Sequence, residues 1–252
     1  MSSKQKTRPG TAAHRQTVRR RPPGRGPNRA ARRRGETGPR WGRSALVLGA
    51  IAVVIGGGIL LQSLRTGGGA RPAPRPPFAA ADGAVTEGSA GAKVAVREYG
   101  DFQCPHCRVF QLTVGPTIRR LVNDGTIRFS YVPMAFIGSE SDLASNAAYC
   151  GGSRGFWALH EYLFAHQAPE NSGALTAATL TSYGSAAGVS GPAYAACVRA
   201  QTYVPFVQRV TDLASGRGVD QTPTLFIDGR QAPASAYTPA GFAAAVRAAA
   251  ST

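Results

Sequence analysis

Twenty-one consecutive residues without a charge, Ser44 to Leu64, lie between Arg43 and Arg65 and divide the chain into parts that cannot share one core. Within them Ala45 to Leu61 reads ALVLGAIAVVIGGGILL, uniformly apolar or Gly. At about 1.5 Å per residue such a helix spans roughly 31 Å, the thickness of a bilayer's hydrocarbon core. The pattern predicts a single transmembrane helix over 44–64. A cleaved signal peptide would have a shorter basic region, a shorter apolar stretch and a small-residue cleavage site, which fits less well. A buried core helix fits less well still, because nothing amphipathic flanks the segment.

Charge is distributed as unevenly as hydropathy. Residues 1–43 carry 14 Lys or Arg against the single acid Glu36, and the rest of the chain carries 15 against 12, so +13 of the formal +16 lies in the first part. A net charge of this size spread over a folded face would suggest nucleic-acid binding, but here it belongs to a tail poor in large apolar residues. Such a tail buries too little apolar surface to offset the entropy of ordering and is expected to be disordered. No nucleic-acid partner is expected; anionic lipid is the simpler one. Cations crowd the N-terminal side of the span, so the positive-inside rule places the tail in the cytoplasm and the remainder outside, at the plasma membrane. Arg outnumbers Lys by 26 to 3, which points to a GC-rich bacterial genome.

Residues 65–90 hold 16 Gly, Ala or Pro in 26 and show no periodicity, the composition of a linker. The domain is expected over 91–252, of a size that supports one core. Lys93 to Tyr99 (KVAVREY) reads as a buried strand, broken by Gly100 and Asp101. Cys104 to about Val122 has helical apolar spacing, with Pro105 in the first turn and a kink expected at Gly115-Pro116. Thr126 to Val132 alternates as a strand. The stretch 139–219 is mostly helical in pattern, with a capping box expected from Ser139 and Asp142 and one longer helix over Ala195 to Ala214. QTPTLFIDG then restores a strand closing on the Asp228-Gly229 turn, and Pro239 to Ala250 is a last Ala-rich helix. The fold class is α/β.

The chemistry sits in the run CPHC. Cys104 falls where a strand meets a helix, so unpaired backbone N–H groups and the helix dipole favour its thiolate. Cys107, one turn on and more buried, is placed to close a Cys104–Cys107 disulfide. His106, protonated or as an N–H donor, would stabilise the Cys104 thiolate further and make the disulfide easier to reduce. The rival meaning of C-x-x-C is half a zinc site, but zinc needs a second ligand pair, and Cys150 and Cys197, 47 positions apart, do not form one. No metal is expected. Those two cysteines suit a structural disulfide between helices, with a second redox pair as the alternative. His14, His160 and His166 have no chemical role assigned; the latter two read as satisfied packing or surface residues.

CPHC after a strand, a helical insertion and then TPT leading a late strand resembles the DsbA family of bacterial disulfide oxidoreductases, from about Gly88 onward. The stretches EYGDFQCPHC, SNAAYC and GFWALHEYLFAHQ are similar to its members. The resemblance implies a thioredoxin-like fold with a helical insertion, a cis Pro223 beside the cysteines, and the Thr222 backbone pairing with an extended substrate peptide. It also implies that Glu98 is a buried acid moving protons around the active site. The implied activity is oxidation of exported proteins or peptides, with reoxidation by a quinone-linked membrane protein of the DsbB or VKOR-like kind. No cofactor is required, and a monomer is expected. Thr222 is more like the residue that isomerase relatives carry before the proline, so a disulfide isomerase or reductase is the first alternative. A non-enzymatic peptide-binding module or holdase of the same fold is the second.

Overall fold

The structure, a computed structural model, describes residues 73–251. The basic tail, the apolar run Ala45 to Leu61 and His14 lie outside the described residues. No helix among the described residues is long and apolar enough to cross a membrane.

Five strands form one mixed sheet: β1 (Val85–Glu87), β2 (Val94–Gly100), β3 (Ile127–Pro133), β4 (Thr224–Ile227) and β5 (Arg230–Gln231), in the order β1-β3-β2-β4-β5. The central pair β2 and β3 runs parallel, with Val96 beside Phe129 and Glu98 beside Tyr131, and the other pairings are antiparallel. Parallel neighbours need a crossover, here supplied by α1 (Pro105–Thr113) and α2 (Gly115–Asn123). This β-α-β opening, followed by an antiparallel β4-β5 hairpin and the closing helix α8 (Pro239–Ala250), is the thioredoxin-like arrangement.

Between β3 and β4 stand α3 (Ser139–Cys150), α4 (Gly152–Ala165), α5 (Ala177–Ala186), α6 (Pro192–Ala200) and α7 (Val204–Ser215). The core runs continuously from the sheet into this insertion through Tyr131, Tyr149, Phe156, Phe164 and Phe206, all fully buried. The Cys150–Cys197 disulfide joins α3 to α6, with Cα atoms 5.8 Å apart.

Several local expectations need correction. The helix expected over 104–122 with a kink at Gly115-Pro116 is interrupted at that place, but as two helices meeting at Val114 rather than one kinked helix, because Pro116 offers no N–H to continue the ladder. The long helix expected over 195–214 is likewise two, broken where Gln201 adopts a left-handed conformation (φ 51°). Ser139 and Asp142 form no capping box: the residue preceding α3 is Gly138, with φ 151°, and no side chain caps the helix. The expected linker 65–90 carries β1, which pairs with β3, and Ala79 and Ala84 are buried in the core. The fold therefore begins ahead of residue 91. Ala, Pro and Gly there pack as small residues do, and composition alone does not separate that from a coil.

Candidate active site

Cys104 is the N-cap of α1, with extended backbone (φ −70°, ψ 118°) and Pro105 at the first helical position. Its sulfur therefore faces the free N–H groups of the first turn. The backbone N–H groups of His106 and Cys107, the Cys107 thiol and the Thr222 hydroxyl all favour the Cys104 thiolate, the Cys107 thiol most strongly. Against burial, they hold the Cys104 thiol down to about 5. As a thiol, Cys104 instead donates to the Thr222 carbonyl at 3.3 Å. Cys107 is fully buried, and burial, the bond to Cys104 and the nearby Glu98 push its thiol well above the ordinary value. Both sulfurs are free thiols here, the reduced state of the pair.

The Thr222-Pro223 bond is cis. Its loop is fastened by Tyr237, whose hydroxyl donates to the Pro223 carbonyl and accepts from the Leu225 N–H, both at 3.2 Å. Beside it lies a groove of about 510 Å³ bordered by His106, Val109, Phe110, Thr222, Pro223 and Tyr237. The His106 side chain is exposed in this groove, so what it contributes to Cys104 in the structure is its backbone N–H.

Glu98 lies behind Cys107, with no exposed surface. Gln111 Nε2 donates to its Oε2 at 2.6 Å, while Oε1 has no partner among the described residues. Burial, only partly offset by Gln111 and reinforced by Cys104, pushes its carboxyl up to about 8.

Other residues at the site had no role assigned from the sequence, although Asp101, Gln103 and Gln167 lie within the stretches similar to the DsbA family. Asp101, noted only as a strand breaker, is fully buried; its carboxylate accepts from the N–H groups of Gln103, Phe136 and Ile137 and from the Ser141 hydroxyl. Gln103 reaches Ser141 through Nε2 and accepts from the Asn171 N–H, and Gln167 Nε2 donates to the carbonyls of Phe102 and Cys104. These amides bind the strand-to-helix loop to the insertion and fix where Cys104 sits. Gln, Asn and Asp in loops are common, and only the contacts distinguish these. His166 is exposed and stacks on Tyr162, whereas His160 is packed but not satisfied, since neither ring nitrogen has a partner among the described residues. Among those residues no group of three or more His, Cys, Asp or Glu is placed to hold a metal.

A thioredoxin-like sheet with a C-x-x-C pair at a helix N-terminus, facing a cis-proline, defines a thiol-disulfide exchange protein by class. The chain belongs to the thioredoxin family, whose model, described as Thioredoxin, matches residues 81–248, and within it to the DsbA-type oxidoreductases. It is 28% identical over 146 residues to disulfide bond formation protein D of Bacillus subtilis, a match covering 56% of this chain and 66% of that protein. The crystal structure of oxidised DsbA from Mycobacterium tuberculosis is similar, with a TM-score of 0.58 and 28% identity over 67% of this chain and 93% of that one. The oxidised BdbD of Bacillus subtilis shares the fold at a TM-score of 0.61, 23% identical, covering 69% of this chain and 97% of the other.

Proposed function

We propose that this protein introduces disulfides into exported proteins, anchored in the plasma membrane by Ala45 to Leu61 with its catalytic domain outside the cell. The observation that carries the reading is the opposition between the two thiols, Cys104 held down to about 5 and Cys107 pushed well up. A stabilised Cys104 thiolate favours the reduced pair, which makes the oxidised pair an oxidant.

In the reaction a substrate thiolate attacks the Cys104 sulfur of the Cys104–Cys107 disulfide. That bond breaks, and Cys107 keeps the electron pair and takes a proton. A second substrate thiolate then attacks the substrate sulfur of the mixed disulfide and releases Cys104 as a thiolate. Two electrons have passed from substrate to the pair, and a quinone-linked membrane protein of the DsbB or VKOR-like kind removes them. The groove beside Pro223 suits an extended peptide: Val109, 59% exposed, offers apolar surface, and the Thr222 backbone lies next to the reacting sulfur.

Thr222 also keeps an isomerase or reductase in view, because it resembles the residue that isomerase relatives carry before the cis-proline and its backbone carbonyl lies against the Cys104 sulfur. The deciding experiment equilibrates the full chain in detergent with glutathione buffers, titrates the Cys104 thiolate, and assays oxidation of a reduced unfolded protein. An oxidising pair with an acidic Cys104 is expected. A strongly reducing pair would sink the oxidase reading, and undiminished peptide binding without any exchange activity would favour a binding module.

A further inference from the structure

Four polar atoms lie buried behind the cysteine pair without a hydrogen-bond partner among the described residues: Glu98 Oε1, the Tyr131 hydroxyl, and Nδ1 and Nε2 of His160. More than nine in ten buried polar groups in folded proteins are paired, and each unpaired one costs about 1–3 kcal/mol. Three such side chains in one cluster therefore call for a role. They are neighbours: Glu98 and Tyr131 stand side by side in the register of β2 and β3, and the Tyr131 and His160 rings pack with centroids 4.4 Å apart. A Cβ at Gly100 would lie 2.7 Å from the Tyr131 ring and hydroxyl, so glycine there is what admits the phenol.

One member of the cluster, His160, also borders a cleft that half-exposed residues line. Between α2 and α4 a narrow cleft is lined by Glu87, Gln111, Arg119, Trp157, His160 and Glu161. Its lining includes both the half-exposed Arg119–Glu161 ion pair (3.3 Å) and the buried His160 and Gln111, the residue that donates to Glu98. Glu98 and Cys107 themselves have no exposed surface.

We infer that His160 and Tyr131 relay protons between the Glu98 carboxyl and this cleft, recharging Glu98 after each exchange with Cys107. The inference rests on the exchange reaction proposed above. When the active-site disulfide is reduced, the Cys107 sulfur leaves with an electron pair and needs one proton; Glu98, protonated at neutral pH, gives it up. Glu98 must then regain a proton, and reoxidation requires the reverse transfer. Unpaired buried polar atoms of this kind are the partners that an internal water bridges. The imidazole accepts at one nitrogen and donates from the other, and the phenol does the same through its single oxygen. Burial keeps His160 neutral, down to about 3, and keeps the Tyr131 hydroxyl from ionising, so neither holds a charge between transfers. The groups around the path are Glu87 on β1, Glu98 on β2, Asp101 in the loop after it, Cys104 at the cap of α1, Cys107 and Gln111 on α1, Arg119 on α2 and Glu161 on α4. Neither His160 nor Tyr131 is placed to touch substrate. Both act through Glu98 as positioning residues.

The test measures single-turnover reduction of the Cys104–Cys107 disulfide by a reduced peptide dithiol, from pH 5 to 9 in H₂O and D₂O. It uses the full chain in detergent and the variants His160→Leu, His160→Gln, Tyr131→Phe and Glu98→Gln. His160→Leu and Tyr131→Phe should slow the step at pH 7 by about tenfold or more and flatten its pH profile, within the range of general acid-base effects. The D₂O effect should change with them, while the Cys104 titration stays as in the wild type. His160→Leu removes two unpaired nitrogens and should be at least as stable to urea, and His160→Gln should recover part of the rate. Wild-type rates and isotope effects in both His160→Leu and Tyr131→Phe, with Glu98→Gln slow, would overturn the relay. A wild-type protein that is reduced normally but oxidises no unfolded substrate would instead count against the oxidase reading and leave the relay standing.

Discussion

The Cys104 sulfur lies 3.3 Å from the backbone carbonyl of Thr222, a residue 118 positions further along the chain. The contact changes character with protonation. A thiol donates to that carbonyl; a thiolate cannot, and accepts from the Thr222 hydroxyl and the Cys107 thiol instead. Thr222 thus touches the reacting sulfur in both states.

Thr222→Val keeps the size and branching of the side chain and removes the hydroxyl. A hydrogen bond to a charged group contributes about 1.5–3 kcal/mol, so the Cys104 titration should move up by about one pH unit. The pair should become less oxidising by about 30 mV. Thiolate absorbance against pH measures the first and a glutathione equilibrium the second; an unmoved titration would remove Thr222 from the set of groups stabilising the thiolate.

His106→Ala should have the smaller effect. The imidazole is exposed, and the stabilising group is the main-chain N–H, which alanine retains. The Cys104 titration should shift less than in Thr222→Val, by roughly half a pH unit or less. A larger shift would return the role to the ring.

Glu98→Gln tests the buried carboxyl through stability. The folded state raises this carboxyl from 4.5 to about 8, so it holds a proton that the unfolded chain releases. The stability due to Glu98 is full below 4.5, declines as pH rises and is lost on passing about 8. Glutamine does not titrate. The stability of Glu98→Gln relative to wild type should therefore increase between pH 4.5 and 8, by on the order of a few kcal/mol, and level off above. Urea denaturation of the reduced protein across that range gives the answer, and a constant difference would mean an ordinary carboxyl.

Replacing Cys150 and Cys197 together by Ala should lower stability by about 2–4 kcal/mol, from chain entropy for a loop of this size, without moving the Cys104 titration. The disulfide joins α3 to α6 within the helical insertion, and neither cysteine is among the groups that shift the Cys104 thiol. Loss of exchange activity in a folded double variant would show instead that these sulfurs take part in the chemistry.

Where the structure followed the sequence, a short-range physical rule operated. Alternation and β-branching place β2 and β3, proline's missing N–H places the start of α1, and Thr238 with Pro239 places the start of α8. Where it departed, the deciding force was tertiary. β1 exists because Val85 can be buried while its backbone pairs with β3, a reward invisible in a stretch rich in Ala, Gly and Pro. The left-handed Gln201 that divides α6 from α7 belongs to no glycine signal.

The sequence by itself determined that two cysteines sit at the start of a helix after a strand, because strand periodicity and the helix N-terminus are properties of a dozen adjacent residues. It could not determine what surrounds them. The Thr222 contact, the burial that raises Glu98 and the Asp101, Gln103 and Gln167 bonds join residues far apart in the chain. Desolvation and hydrogen bonding act through space, so only the packed fold decides which thiol is acidic, which carboxyl keeps its proton, and by which side chains that proton can leave.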